Sequence, residues 1–382
     1  MVSPLLREGR GVVALPDWPI TVQGRYTDGV LWDPGAVGPV IEALHAVSRP
    51  PSLQDTDLDP GGLSSAAPLG DPGTRSIDGT SIFGGNLIKH FGHFLHECLG
   101  RLWWLGDPGG LPEAAREPAG ELRARLQKDD ACVYFFVSRW LEPTRELAPY
   151  MEEVLEGLGL PRQRIRIVGE PTRFERLMIP GQGWGFDFDE RAWDAHLGCS
   201  CRRLMRCLLG GWRMASAPPA PGQATPTRLY VSRSGLPPAM GRLIGDVLLD
   251  GMLTAEGYAL YHPERHSIAD QIHAYSQARD LVFMDGSALY LLWFCRLQPG
   301  TRISVILRRR QGHWMCDQLQ RLLPVTEGLQ WHVLDALLAE GLTSGNDWES
   351  HNLADISALA RGRASATAER ADPAPAHIPV MQ

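Results

Sequence analysis

The sequence predicts an α/β protein of two units built on parallel sheets. Three observations lead there. Apolar runs of strand length alternate with helical periods along most of the chain, which favours parallel strands joined by helical crossovers. The second half shows this as β-α-β-α-β-α-β, a half-Rossmann order. The 382 residues exceed one typical domain, and the Pro- and Ala-rich stretch Met214 to Thr227 has little to bury and suits a linker.

The elements follow in order. Residues 1–80 are rich in Gly, Pro and Asp, with a short β-like piece at Gly11 to Leu15. Val40 to Val47 suits a helix with Pro39 in its first turn, and Ser48 to Thr80 carries the turn residues of a long loop. A helix is expected over about 88–105 and another over about 118–127. Cys132 to Val137 reads as a buried strand, Thr144 to Gly157 as a helix, and Arg164 to Val168 and Phe174 to Ile179 as strands. A helix covers about 190–210.

After the linker, Arg228 to Ser232 is a strand, and Arg242 to Glu256 a helix stopped by Gly257. Tyr258 to Tyr261 is a strand, and Ser267 caps a helix running to about Ala278. Leu281 to Met284 is a strand, Ser287 to Leu297 a helix, and Thr301 to Leu307 a strand entered through Pro299-Gly300. Helices are expected at Trp331 to Glu340 and near 351–361, and the tail 362–382 has the composition of disorder.

Composition narrows the function. A net charge of -7 argues against a nucleic-acid partner, whose binder usually carries a basic face. Arg308-Arg309-Arg310 is a local exception, read as a solvated strand end. Seven cysteines, an odd number in largely apolar surroundings, fit reduced thiols in a cytoplasmic protein better than a disulfide framework. The N-terminus lacks a signal-peptide pattern, and the longest apolar run, Ala288 to Cys295, is far short of the ~20 residues that cross a bilayer. No transmembrane segment is expected; peripheral membrane contact is left open.

The most informative stretch is His90 to Leu105. At about 100° per residue it aligns His90, His93, Glu97 and Arg101 on one face of an otherwise apolar helix. Titratable groups in apolar surroundings are costly unless they pair, bind or react. A second constellation is the strand-to-helix turn Met284-Asp-Gly-Ser-Ala288, where Gly286 lets an anion approach backbone N–H groups and Ser287 can cap the helix or bond a phosphate. A third is Val231-Ser-Arg-Ser-Gly235 with Arg242. Arg233 leaves the C-terminal end of a strand, the edge at which open α/β sheets bind ligands. Arg233 and Arg242 suit a diphosphate clamp; salt bridges to Asp246, Asp250 or Glu264 are the structural alternative. Metal readings are weaker. Cys199, Cys201 and Cys207 lack a fourth ligand, Asp187-Phe-Asp189 is a common tripeptide, and no His-Glu-x-x-His accompanies His90, His93 and Glu97.

Two blocks of residues carry a family resemblance. The first is Gly85 to Trp104, similar to an aromatic-Gly-His-apolar-apolar-x-Glu-x-x-x-Arg-Leu helix. The second is Leu229-Tyr-Val-Ser-Arg-Ser, Arg242, Gly257-Tyr, Asp270-Gln-Ile, Ala278-Arg-Asp and Asp285-Gly-Ser-Ala-Leu, in order. The chain resembles glycosyltransferase family 61, in particular a bacterial capsular or exopolysaccharide type of member. Two positions depart. Asp285 stands where members often have His, and Gly245-Asp246 where they often have Asn-Glu. A carboxylate at a phosphate site repels the ligand unless it is protonated, paired or turned away.

The resemblance implies a GT-B-like fold, two Rossmann-like domains facing across a cleft. Residues 1–212 would form the acceptor side, 213–227 the linker and 228–330 the nucleotide-sugar side, with helices in 331–361 crossing back to the first domain. It implies an inverting, metal-independent hexosyl- or pentosyltransferase without a cofactor, moving sugar from a nucleotide-sugar donor to a glycan or other hydroxyl acceptor in polysaccharide or glycoconjugate synthesis. His93 and Glu97 would be catalytic, supported by His90 and by Arg101, which would keep Glu97 ionised. Arg233, Arg242, Asp285, Gly286 and Ser287 would line the donor diphosphate site. The rival readings are a non-catalytic glycan- or nucleotide-binding relative, motivated by Asp285, and a metal-dependent hydrolase on His90, His93 and Glu97.

Overall fold

Strands that must bury both faces and strands that need cover only one divide the described residues into two unlike large sheets, with a third sheet of three short strands. The computed structural model describes residues 5–22, 25–35, 38–39, 74–128, 131–138, 144–185, 189–212, 226–341, 351–356 and 358–359. The expected helix at 40–47, most of the linker and the tail lie outside them, as does most of the expected loop at 48–80.

The first sheet contains β1 (Leu6–Arg10), β2 (Val13–Val22), β3 (Arg25–Asp33), β4 (Gly38–Pro39) and β5 (Arg75–Leu87). After β5 come α1 (Phe91–His96), α2 (Glu113–Lys128), β6 (Val133–Val137), α3 (Pro149–Gly157), β7 (Ile165–Ile167) and β8 (Thr172–Pro180), then α4 (Glu190–Leu197) and α5 (Cys201–Gly210). Its order is β4-β3-β2-β8-β5-β6-β7, with β1 also on β8. Strands β8, β5, β6 and β7 are parallel, while β1 to β4 join by antiparallel pairing. The parallel side of this sheet, from β8 to the β7 edge, is compatible with the Rossmann-like expectation for this half, and the antiparallel side is not. There, β1 and β2 lie end to end along β8, turning at Gly11 with φ +64°, a conformation only glycine adopts freely.

The second half is closer to expectation. It comprises β9 (Arg228–Val231), β10 (Arg242–Leu243), α6 (Asp246–Ala255), β11 (Ala259–Tyr261), α7 (Ile268–Gln277), β12 (Asp280–Met284), a 3-10 run at Ser287–Phe294, β13 (Arg302–Ile306), α8 (Gly312–Leu322), β14 (Gln330–Leu334), β15 (Leu337–Glu340) and β16 (His351–Ala354). Five strands form an all-parallel sheet in the order β11-β9-β12-β13-β14. Every residue of β12 is buried, as the near-continuous apolar sequence of a doubly covered strand requires.

Six expected helices need correction. Ser287 to Leu297 is the 3-10 run, and the stretch near 351–361 opens with β16. The 88–105 helix is α1 followed by 3-10 turns at Cys98–Arg101 and Trp103–Leu105. The 190–210 helix breaks at Gly198, φ +67°, and restarts under the Ser200 cap. Arg242 does not open a helix: it lies in β10 on β16, and α6 begins at Asp246. Trp331 to Glu340 is β14 and β15. Its Leu, Ala and Glu favour a helix, but β13 offers an open edge, and pairing Ile303 with Trp331 satisfies that backbone. Strands β14, β15 and β16 thus build onto the second half, where helices were expected to cross back.

One buried cluster runs through both halves. It includes Ile82, Phe94, Trp103, Trp104 and Trp184 from the first and Tyr275, Leu289, Tyr290 and Trp293 from the second. α1 and the 3-10 run form part of the seam, together with α5 against that run and α8, and α3 against α7. The buried His96 ring lies 5.2 Å from Tyr290, 5.4 Å from Trp293 and 6.4 Å from Trp314, centroid to centroid. Among the described residues no helix is long and apolar enough to cross a membrane.

Candidate active site

The titratable line of α1 begins at its cap. His90 has extended backbone angles, and its Nδ1 accepts the His93 N–H at 3.4 Å. Four residues apart on one helical face, His93 and Glu97 meet, with Nδ1 of His93 bonded to Oε1 of Glu97. The imidazole keeps 17% of its side-chain surface exposed and the carboxylate 3%, so Glu97 sits behind His93. The helix ends at Glu97, and Arg101 belongs to the following 3-10 turn. Its Nη1 donates to Pro180 O at 2.7 Å and its Cζ lies 5.6 Å from the Phe83 ring centroid, tying the turn to β8 and β5. Gly100 permits that turn. A Cβ there would stand 2.2 Å from Trp184 O, and its own carbonyl accepts from Gly183 N at 2.8 Å.

The second edge lies where strand order reverses, between β9 and its neighbours β11 and β12. Ligands of open parallel sheets bind at such points. Arg233 follows β9, and its Nη2 donates to Met240 O at 2.8 Å. It packs on Gly286, where an added Cβ would stand 2.4 Å from Nη1. Arg242 bonds Asp246 at 3.1 Å and Ser234 O at 3.0 Å, so the structural ion pair foreseen for it is present. Asp250 accepts instead from the Ser232 and Ser234 hydroxyls. Ser287 opens the 3-10 run without capping it.

The two edges meet. A Cβ on Gly92, in the first turn of α1, would lie 2.8 Å from Ser287 Oγ and 3.3 Å from His90 Cε1. The charges meet as well. Burial first, then His93, Arg309 and Arg233, push the His90 imidazole down to about 4, against an opposing pull from Glu97. Burial likewise pushes His96 to about 3. Both rings are neutral in the fold near neutral pH and take up protons on unfolding below their ordinary value of 6.5. Stability is therefore full above that value and is lost as pH falls toward the folded values, by up to about 1.4 kcal/mol per pH unit for each ring. Melting temperatures followed from neutral pH into that acid window should fall; a flat profile contradicts neutral burial of these rings.

Sequence reasoning missed Arg309. Of the three arginines after β13, only Arg310 is the solvated strand end expected, pairing with Glu340 at 3.4 Å. Arg308 is 2% exposed, and Arg309 Nε lies 3.6 Å from Oδ2 of the fully buried Asp285. The available signal was positional: in a parallel sheet the ends of β9, β12 and β13 share one edge.

The metal readings find other uses for their ligands. Asp189 caps α4, while Asp187 lies outside the described residues. Glu190, Asp194 and Cys201 bring ligating atoms within 4.8 Å of one another. Asp194, however, accepts from Cys201 N at 2.8 Å, Glu190 pairs with Arg202 at 2.6 Å, and burial pushes the Cys201 thiol up. A cleft of about 890 Å³ lies elsewhere on the seam, lined by Arg123, Trp212, His273, Phe294 and Arg296 among others, and by none of the predicted site residues.

Replacing Gly286 with Ala should displace Arg233. The added methyl meets Nη1 and moves that guanidinium away from the buried Asp285, so the melting temperature should fall as well. Anion binding at this edge, read by titration with a nucleoside diphosphate, should weaken about tenfold or more as a charged contact is lost. Unchanged binding would remove Arg233 from the site.

A family model described as Glycosyltransferase 61 matches residues 91–304, from the start of α1 into β13. No curated protein matches the chain significantly.

Proposed function

The chain belongs to glycosyltransferase family 61, whose model covers more than half of it and implies sugar transfer from a donor to an acceptor; on that premise we propose an inverting transferase with His93 as its base. The observation that carries this reading is the order His93 in front, Glu97 behind, at a helix whose first turn touches Ser287. With Nδ1–H donated to Glu97, the other nitrogen of His93 is left as an acceptor. It would take the proton of an acceptor hydroxyl as that oxygen attacks the anomeric carbon. Glu97, a positioning residue, would hold the ring and favour the imidazolium that forms. One in-line displacement inverts the anomeric centre.

The donor would be a nucleotide-sugar lying on the Arg233 and Gly286-Ser287 edge, with Arg242 steadying the loop through Ser234 and Asp246. Backbone N–H groups and guanidiniums there would neutralise the departing diphosphate in place of a divalent cation. A mixed sheet with one parallel side and an all-parallel sheet, with the proposed site between them, would suit a GT-B-like arrangement. The Asp285 departure, which motivated a non-catalytic reading, has a local answer in Arg309. Seven free cysteines suit work in the cytoplasm, on a polysaccharide or glycoconjugate acceptor.

Thermal shift against a panel of nucleoside diphosphates and their sugars, in the presence of a chelator, tests the donor and metal parts together. A bound donor raises the melting temperature by mass action. No shift with any of them, or one that requires added metal, contradicts this reading. NMR of the product's anomeric configuration tests inversion.

A further inference from the structure

Asp285 is fully buried, and neither of its carboxylate oxygens is hydrogen-bonded among the described residues. Such a group is costly without opposite charge close by. Two guanidiniums supply it. Arg309 Nε lies 3.6 Å from Oδ2, and Arg233 packs on Gly286, the next residue in the chain. Burial lowers the pKa of Arg233, and Asp285 opposes that fall more than any other charge. The third side is closed by α8, where a Cβ on Gly312 would stand 2.4 Å from Oδ2. Glycines at 286 and 312 thus allow the two walls of this nest to approach. Asp285 and the two arginines together carry one net positive charge, at the reversal point of the parallel sheet.

Resting on the donor site proposed above, we infer that Arg309 is a further diphosphate-binding residue and that Asp285 is a positioning residue, which aims Arg309 and Arg233 at the anion. Asp285 lies within the span matched by the family model and Arg309 just beyond it. The carboxylate that looks repulsive in sequence serves to hold two cations that would otherwise push each other apart.

The test is calorimetric titration of the full chain with inorganic pyrophosphate. Arg309→Ala should weaken binding about tenfold or more, and Arg309→Lys should restore part of it. Asp285→Asn decides the positioning role, because the two accounts predict opposite signs. Simple Coulomb repulsion makes removal of a negative charge tighten binding. Positioning makes it weaken binding, with little further loss when Arg309 is already Ala. If Asp285→Asn does not fold, Asp285→Glu replaces it, keeping the charge but displacing both arginines, and again weaker binding is expected. Arg309→Ala binding as wild type does, or tightening in Asp285→Asn, overturns the inference alone. Wild-type protein that binds neither pyrophosphate nor UDP, GDP or CDP overturns the donor reading with it.

Discussion

Replacing His93 with Ala is expected to lower the turnover of sugar transfer by about 10²–10⁴-fold, the usual share of a positioned general base. Because the ring covers the buried Glu97 carboxylate, its removal should also lower the melting temperature, so rates are compared where the variant is folded. Glu97→Gln keeps an acceptor for the His93 N–H but removes the charge that favours the imidazolium. Its loss should be of the same order, again in turnover and not in donor affinity. Initial rates on the donor identified by thermal shift decide both. A near-normal rate in folded Glu97→Gln would reduce the pair to a structural contact.

The second large effect concerns stability. Gly100→Ala drives a methyl to within 2.2 Å of the Trp184 carbonyl and 3.0 Å of its nitrogen, both backbone atoms that cannot swing aside. The cost should reach about 3 kcal/mol, the upper end for overpacking. Gly120→Ala in α2 is the matched control. Nothing lies within 4 Å of its Cβ, and a mid-helix Gly→Ala change should instead stabilise by about 0.5–1 kcal/mol. Urea midpoints of the two variants should therefore move in opposite directions. A neutral Gly100→Ala would mean that the turn after α1 is not clamped against Trp184.

Legibility followed the range of the forces involved. β9, β12 and β13 could be read because strands buried on both faces declare themselves as local apolar runs. The Ser267 cap and the Gly257 stop are local too, and both stand where expected. By contrast, β1 to β4 depend on pairing that starts from β8, far along the chain, and Trp331 to Glu340 took its conformation from the edge of β13. In the site, the four-residue spacing of His93 and Glu97 was enough to place them together. Continuing that spacing to Arg101 failed as helix geometry, because Gly100 and Trp184 bend the chain there. Arg309 escaped notice because a charge run at a strand end looks like solvated surface until the buried partner is known.

His96 gives the last consequence. It is buried among Tyr290, Trp293 and Trp314, one turn from His93. Withdrawing α1 would uncover aromatic side chains that bury roughly 150–250 Å² each, at about 25 cal/mol per Å². Several kcal/mol therefore rivet the helix bearing the proposed base to the half bearing the proposed donor edge. The closed seam is favoured by that margin, so in the reading proposed above a spent nucleotide would leave through the mouth of the site with the two walls mainly together.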